Sequence, residues 1–466
     1  MIKHGEMQDP LRLLGKAAAG LHMDNLPTTV VACARQRIVD TIGCLVAGYN
    51  SGIADSIRAY VCAQGGASEA TLLPGSEKTT TAMVGFAHAA YIHGLELSDV
   101  APRGTVHPGN EIVPIALALA ERSGCGGAKM IPAIVAGYEI EIRFGRALFP
   151  HAFYRGWWTP GMLGTIGAAV TAAHMLGLDA EGIDNAIGIA LNLAPTAMEH
   201  ANTEGSSVKW LIGGQACMTG LMAAEMAARG VKGLRDVAKG WLPVLSDEHH
   251  SERLTEGITE DGTFAQWEML SGIVTKFYAT VGPLAGPLDA TFSLIKRHDI
   301  QIADVEVIEA ECMRRAAIFN GRHPDNDIVA RASLPYCLAV AVCTRDPAQL
   351  LGPAFRLELL GDKTVRDLED RVRIKENEDY ERQYPKRSLA KVTITLRNGA
   401  SHSLEVDRAA PGRYLNPTDE DIEQKFNLIA RASLGPANTD RVLAILRRIE
   451  ELPNVTELIG CLQTKL

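Results

Sequence analysis

Long segments built almost entirely from small and apolar residues restrict this fold more than any other feature of the sequence. Three of them are "TTVVACARQRIVDTIGCLVAGY" (28–49), "GTIGAAVTAAHMLGL" (164–178) and "GGQACMTGLMAAEMAARGVKG" (213–233). Their apolar positions follow helical spacing, and helices that are apolar on nearly all sides belong in the interior of a bundle. Alanine and glycine also let neighbouring helices approach closely. The sequence therefore predicts a helical bundle from about residue 10 to 272.

The pattern changes after about residue 275. "DVEVIEAEC" (304–312) predicts a strand, "ARASLPYCLAVAVCT" (330–344) a helix, and "AKVTITLRNGASHSLEVD" (390–407) a hairpin that turns at Asn398-Gly399. The charged run 371–387 is typical of a solvated loop or sheet edge. Helix returns at "PTDEDIEQKFNLIARASLG" (417–435), with Thr418 or Asp419 as its cap.

At 466 residues the chain is long enough for two domains.

Charge and cysteine usage limit the classes of function. The net charge of −9, the isoelectric point near 5.8 and a mean hydropathy of +0.02 argue against a general affinity for nucleic acid or anionic membranes. No apolar run approaches the roughly 18 residues of a membrane span, and the N-terminal residues do not have the pattern of a signal peptide. The nine cysteines show no paired spacing, so we expect buried free thiols and a cytoplasmic protein.

Common cofactor motifs are absent from the sequence. It has no phosphate-binding G-x-x-x-x-G-K-[ST], and "SGCGGAK" does not complete a dinucleotide fingerprint, so we expect no nucleotide cofactor. His88 and His93 are five residues apart, which does not place two ligands on one helical face, so we expect no metal. "SSVK" (206–209) matches the S-x-x-K of serine acyl-transfer enzymes in two residues only, and chance accounts for it better.

A polar interruption divides two apolar helices between residues 95 and 109. "LELSDVAPRGTVHPG" contains Glu96, Asp99, Arg103 and His107. Helix capping would account for Asp99, and His107-Pro108 could simply begin the next helix, but capping does not explain why His107, Arg103 and Glu96 share one break. Lys209 precedes a close-packed helix, and it is either desolvated or an exposed lysine at a helix start.

Several blocks together resemble the MmgE/PrpD family. They are "HGLELSD", "HPGNEIVPIALALAE", "AIVAGYEIEIRFGRAL", "GTIGAAVTAAHMLGLDAEGIDNAIGIA", "SSVKWLIGGQACMTGLMAAEMAARGVKG" and "ASLPYCLAVAV". The resemblance, over roughly residues 10 to 460, implies a mainly α fold: a large all-helical domain with a smaller inserted α+β domain, in a homodimer with the active site between the domains. Combined with the change of pattern, this gives residues 1–273 and 408–466 for the helical domain and 274–407 for the α+β domain.

The resemblance also implies site residues. His107, Lys209 and Asp99 match catalytic positions, and Glu96 and Lys276 match positions that contact substrate. Arg103 is a candidate to hold a substrate carboxylate by bidentate hydrogen bonds, and so, more loosely, are Arg143 and Arg155, although an ion pair with Glu139 explains Arg143 better. Trp158 in "WWTP" stands where relatives carry histidine, and we expect it to form an apolar wall.

Other positions depart from the family pattern. Residues 277–290 contain no histidine where relatives have one or two, residues 318 and 319 are not tyrosine, and Ser98 replaces an aspartate. These departures argue against decarboxylation of cis-aconitate and weaken the case for ordinary 2-methylcitrate dehydration.

The family resemblance implies proton transfer at the carbon next to a carboxylate. The sequence therefore predicts a cofactor-independent lyase, a hydratase or dehydratase similar to 2-methylcitrate dehydratase, that acts on a small di- or tricarboxylate. An epimerase or isomerase similar to iminodisuccinate epimerase is nearly as attractive, because no hydroxide need leave. A catalytically inactive relative that binds carboxylates or a protein partner is the third alternative.

Overall fold

A computed structural model describes residues 9–195, 198, 204–410 and 412–464. The protein is mainly helical in these residues. The helices before residue 275 are α1 (Pro10–Ala19), α2 (Thr28–Gly48), α3 (Ala54–Gln64), α4 (Thr81–Gly94), α5 (Gly109–Ser123), α6 (Gly127–Leu148), α7 (His151–Tyr154), α8 (Thr159–Met175), α9 (Ala180–Leu193), α10 (Val208–Ala228), α11 (Leu242–Leu245) and α12 (Glu268–Ser271). Two short strands, β1 (Ala70–Thr71) and β2 (Lys78–Thr79), form a small antiparallel pair.

The later part of the chain combines a sheet with shorter helices. Its strands are β3 (Val305–Cys312), β4 (Val372–Glu376), β5 (Leu389–Leu396) and β6 (Ser401–Asp407). Its helices are α13 (Ala285–His298), α14 (Arg314–Ala317), α15 (Asp327–Arg331), α16 (Leu334–Thr344), α17 (Leu357–Leu360), α18 (Lys363–Glu369), α19 (Glu378–Gln383), α20 (Asp419–Leu446) and α21 (Thr456–Leu462). The mainly α fold class with a small sheet region is thereby confirmed.

The small residues of α8 and α10 let the bundle pack closely, as the sequence predicts. Nearly every residue of α8 is buried, and α10 packs against α4, α8 and α9. A Cβ added to Gly214 of α10 would lie 2.5 Å from the carbonyl oxygen of Phe86 in α4, and one added to Gly220 would lie 2.7 Å from that of Thr165 in α8. Such contacts allow no larger side chain, so the glycines set the distance between these helices.

The sheet has the strand order β4-β3-β5-β6, with β3 parallel to β4 and antiparallel to β5. The predicted strand and hairpin are both present, and Val392 pairs with Leu404 across the hairpin. Buried residues on one face of β3 and β5, including Ile308 and Ile394, join the core, where α13 covers the sheet. The predicted helix at 330–344 is shorter and begins at Leu334, because Ser333 caps it.

The last long helix, α20, returns to the bundle and packs on α2. Thr418 caps it in a capping box with Asp421, which decides between the two predicted caps. The helix is interrupted at Gly435, whose φ is 74°. The domain division at residues 273 and 407 stays a prediction, and the location of the four-stranded sheet within residues 305–407 supports it.

The charged run 371–387, predicted as a solvated loop or sheet edge, contains the edge strand β4 and the short helix α19. The prediction of buried thiols needs correction. The nine cysteines are free, but Cys62 is exposed and Cys33, Cys125 and Cys343 are only partly buried. No helix within the described residues combines the length and apolar character needed to cross a membrane.

Candidate active site

The interruption after α4 is a tight loop that the structure fixes at both ends. Glu96 and Thr105 adopt left-handed backbone conformations, with φ of 54° and 52°, which non-glycine residues rarely adopt. Val100 pairs with Val274, and Ala101 pairs with Val106, through backbone bridges. The loop is therefore attached to the segment that carries Lys276, across more than 170 residues of sequence.

Glu96 is the centre of a buried charge cluster. Its Oε1 lies 2.5 Å from Nζ of Lys209, and its Oε2 lies 2.9 Å from Nζ of Lys276. Burial alone would raise the pKa of Glu96, but the two ammonium groups outweigh it and hold that pKa well below its ordinary value. Burial lowers the pKa of both lysines, to about 8 for Lys276, although Glu96 opposes the shift. The cluster therefore carries one excess positive charge.

His107 is a neutral imidazole with a defined tautomer. Its Nδ1 lies 2.7 Å from the backbone oxygen of Asp99, and a carbonyl can only accept, so Nδ1 carries the proton. Burial, followed by the charge of Lys276, lowers the pKa of His107 to about 4. Near pH 7 its Nε2 is therefore an unprotonated acceptor. An unprotonated Nε2 is the form of imidazole that can accept a proton.

Asp99 fixes this loop through hydrogen bonds to α5 and α6. Its Oδ1 accepts from the backbone N–H of Gly109 at 3.1 Å, and its Oδ2 accepts from the Tyr138 hydroxyl at 2.8 Å. Burial raises the pKa of Asp99, with Arg37 opposing. Asp99 does not line the cavity described below, and its catalytic role stays a prediction.

A cavity of about 550 Å³ lies between the helical bundle and the α+β part of the chain. Glu96, His107 and Lys276 line it, but Lys209 does not, because Lys209 lies behind Glu96. Arg103 and Trp158 also line it, and Arg103 is exposed and donates to the backbone oxygen of Ser271. The remaining lining residues come from both parts of the chain and include Thr105, Phe153, Met313, Arg315, Phe319, Tyr384, Lys386 and Arg408.

The indole N–H of Trp158 is used in a hydrogen bond within the protein. Its Nε1 donates to Nε2 of His93 at 3.2 Å, and the two rings meet edge to face. The side-chain amide of Asn110 lies 3.1 Å from Nδ1 of His93, and burial lowers the pKa of His93 to about 3. The indole therefore presents apolar surface where relatives are expected to carry histidine.

Other predicted candidates lie elsewhere. Arg143 is buried among Glu139, Glu268 and two backbone carbonyls, which confirms the structural interpretation of this residue. Arg155 is half-exposed and pairs with Asp247. His88 accepts from the backbone N–H of Leu73, which explains its burial without a ligand.

Sequence reasoning missed three residues that shape the site. Arg331 donates to the backbone oxygens of Leu95 and Ala279, Lys425 donates to that of Leu97, and Arg315 lines the cavity. Each lies more than 200 residues from the loop, within an ordinary helical or charged pattern, so no sequence signal marked it.

The fold and the site together define a class of protein: a helical bundle joined to a small sheet region, with a lysine-rich, histidine-containing cavity between them. Comparison with family models agrees. Residues 12–253 match the MmgE/PrpD N-terminal domain and residues 278–451 match the MmgE/PrpD C-terminal domain, so the chain belongs to the MmgE/PrpD family.

Curated relatives match along almost the whole chain. Cis-aconitate decarboxylase of Aspergillus terreus is 23% identical, over 95% of this chain and 94% of the relative. The enzymes of the same name from Mus musculus and Homo sapiens are each 22% identical, over 95% and 96% of this chain and 91% and 93% of theirs.

Among the described residues, no group of three or more His, Cys, Asp or Glu side chains could hold a metal ion.

Proposed function

We propose that the protein is a lyase, a hydratase or dehydratase, that acts on a small di- or tricarboxylate through proton transfer at the carbon next to a carboxylate. One observation carries the proposal: a neutral imidazole, His107, and an ammonium group, Lys276, line the same cavity. Family membership and the carboxylate-processing relatives support the same chemistry.

His107 is the base in this mechanism. Its unprotonated Nε2 removes the proton from the α-carbon, and negative charge develops on the substrate carboxylate. The backbone oxygen of Asp99 accepts from Nδ1 and favours the imidazolium that forms. The excess positive charge of the lysine cluster stabilises the developing anion, because few solvent dipoles compete with it in a buried site.

Lys276 is the acid. For a dehydration, the carbon–oxygen bond at the β-carbon breaks as the double bond forms, and the departing hydroxide takes a proton from the Lys276 ammonium group to leave as water. A pKa of about 8 suits a group that is charged at pH 7 and still able to donate. Glu96 orients this ammonium, and Lys209 offsets the charge of Glu96 from the other side.

Proton NMR in D2O tests the reaction class. We expect incubation with hydroxylated di- and tricarboxylates to give deuterium at the α-carbon and a new alkene signal. Deuterium without an alkene identifies an epimerase or isomerase, and release of CO2 identifies a decarboxylase, as in the named relatives. A protein that binds carboxylates and exchanges no proton would contradict an enzymatic function.

Substitutions test the assigned roles. His107→Ala and Lys276→Met should each lower kcat by about two to four orders of magnitude, the usual contribution of a positioned acid or base. His174→Ala is the matched control for the first, since His174 also bonds a backbone carbonyl but lies outside the cavity lining, and the exposed Lys296 gives a control for the second as Lys296→Met. Unchanged kcat in both site variants, with stability intact, would overturn the assignment.

Epimerisation is the second candidate, and Trp158 favours it. Because an indole N–H is far too weak an acid to protonate a departing hydroxide, a dehydration here depends on Lys276 alone for that proton, without help from a histidine at position 158. An epimerase needs only removal of the α-proton and its return to the opposite face, which His107 and Lys276 could divide between them. Loss of optical activity without a change in mass would identify this reaction.

We also propose the homodimer that the family resemblance implies. One face of α10 supports it, since Met222 and Met226 are 42% and 40% exposed, one helical turn apart. Light scattering after gel filtration should give twice the chain mass of 50.1 kDa. Met222→Asp should shift the protein towards monomer, and a dimer that Met222→Asp leaves intact would exclude this face.

A further inference from the structure

Arg315 is a buried cation at the cavity wall contributed by the α+β part of the chain. The residue is 5% exposed and lies in α14, at the start of "RRAA". Its Nη2 donates to Oγ1 of Thr105 at 3.1 Å, and its Nε is buried with no partner. Within the described part of the chain, no carboxylate oxygen lies within 4.0 Å of its guanidinium nitrogens.

Aromatic rings surround this guanidinium instead. Its Cζ lies 5.1 Å from the ring centre of Phe149, 5.3 Å from that of Phe153 and 4.8 Å from that of Tyr384. Cation–π contacts stabilise a desolvated arginine only in part, and they leave the N–H groups in the guanidinium plane unused. The aromatic cage therefore orients the cation without neutralising it.

Two of the other buried arginines, Arg143 and Arg331, have carboxylates close to the guanidinium. Arg143 lies within 3.4 Å of both Glu139 and Glu268. Arg331 has Asp327 at 3.8 Å and donates to two backbone carbonyls. Arg37 is also buried and donates to Oγ1 of Thr275, but it does not line the cavity. Because a buried, unpaired charge is costly, Arg315 in the cavity wall calls for an anion from outside the chain.

We infer that Arg315 binds a second carboxylate of the substrate. This inference rests on the proposed function for the first carboxylate, which the Lys276 side of the cavity attracts. The planar guanidinium takes the second carboxylate by paired N–H···O bonds, while Thr105 fixes its orientation. Thr105 is itself anchored, since its backbone oxygen accepts from Thr159 at 2.7 Å.

The two anchoring cations come from different parts of the fold. Lys276 belongs to the segment bridged to the bundle loop, and Arg315 follows β3 in the sheet region. A dicarboxylate bound to both joins the two walls of the cavity, whereas a monocarboxylate engages only one. The ratio of the affinities for a dicarboxylate and a monocarboxylate therefore shows whether Arg315 binds a carboxylate.

Binding calorimetry at fixed ionic strength tests this without any turnover. Succinate and butyrate serve as unreactive probes with two carboxylates and one. We expect the wild-type protein to bind succinate about 10- to 100-fold more tightly than butyrate, and Arg315→Met to remove most of this preference. Arg315→Lys keeps the charge but not the paired geometry, so an intermediate preference is expected.

Arg314→Met is the matched control, because Arg314 neighbours Arg315 in α14 but stacks on Tyr154 and does not line the cavity. The inference is overturned if Arg315→Met keeps the preference for succinate, if Arg314→Met loses it equally, or if the folded wild-type protein does not prefer succinate. A preference that depends on Arg315, in a protein that exchanges no α-proton, would refute the proposed reaction and leave the second carboxylate site standing.

Discussion

At the scale of single residues, the protonation states of His107 and Lys276 set the pH range in which the proposed reaction proceeds. His107 must be neutral to accept a proton, and its pKa is about 4. Lys276 must be charged, and its pKa is about 8. We expect kcat/KM to rise as the pH increases through about 4 and to fall as it passes about 8.

The predicted fall of kcat/KM near pH 8, which we assign to Lys276, can be tested separately. Lys276→Arg keeps a positive charge at every accessible pH, so its reduced activity should no longer fall near pH 8. The control Lys296→Met should keep both limbs. A decline near pH 8 that persists in Lys276→Arg would show that another group controls it.

At the scale of helices, α5 and α6 place two carboxyl groups inside the bundle. Both oxygens of Glu111 and both of Glu141 are buried without a hydrogen-bond partner. Burial raises the pKa of each well above its ordinary value of 4.5, and Glu141 raises that of Glu111 further. Close packing against α8 leaves them no room to move, since a Cβ on Gly167 would lie 2.2 Å from Oε2 of Glu141.

Glu141→Gln should stabilise the protein increasingly as the pH rises. Folded Glu141 stays protonated above pH 4.5 while the unfolded chain ionises, so the wild type loses about 1.4 kcal/mol per pH unit until the folded pKa is reached. Glutamine keeps the shape and cannot ionise. Near pH 4 the two proteins should differ only by a pH-independent offset.

Thermal unfolding at pH 4.5, 6 and 8 measures this difference. Glu358→Gln is the control, because Glu358 is exposed and should show no such pH dependence. If the stability of Glu141→Gln relative to wild type did not change across this range, Glu141 would not be a protonated acid in the folded protein.

At the scale of the whole molecule, the loop that carries Glu96 is held by distant parts of the chain. Lys425 of α20 donates to the backbone oxygen of Leu97 at 2.8 Å and pairs with Asp40 of α2 at 2.6 Å. Arg331 of α15 holds the backbone of Leu95. Bundle, sheet region and last long helix therefore all contribute to the geometry of one carboxylate.

Lys425→Met should destabilise the protein by about 3–5 kcal/mol, because it leaves Asp40 buried without its partner. It should also lower activity, since Leu97 neighbours Glu96. The double variant Asp40→Asn with Lys425→Met should recover part of the stability but not the support of Leu97. Arg447→Met, which breaks a surface pair between Glu423 of α20 and the residue that follows this helix, should cost less than about 1 kcal/mol. Equal losses in the two single variants would contradict this account.

The sequence was sufficient for the elements and for one side of the site. Helical periodicity and the Asn398-Gly399 turn are local signals, so the bundle and the hairpin followed from them directly. The motifs shared with the family predicted Glu96, His107, Lys209 and Lys276 as site residues. The tautomer of His107 and the position of Lys209 behind Glu96 depend on packing across hundreds of residues, which no short pattern encodes.

The opposite wall of the cavity was not predictable for the same reason. Arg315 has no unusual neighbours in "CMRRAAIF", and its contact with Thr105 spans 210 positions. Only the three-dimensional arrangement shows that it lacks a carboxylate partner.

The hydrogen bond between Lys425 and the Glu96 loop spans 328 positions, and this has a consequence for synthesis. A ribosome has translated most of the chain before the ammonium group that secures Leu97 emerges. A chain that ends before residue 425 lacks this contact, so we expect truncated translation products to be inactive even where their helices form.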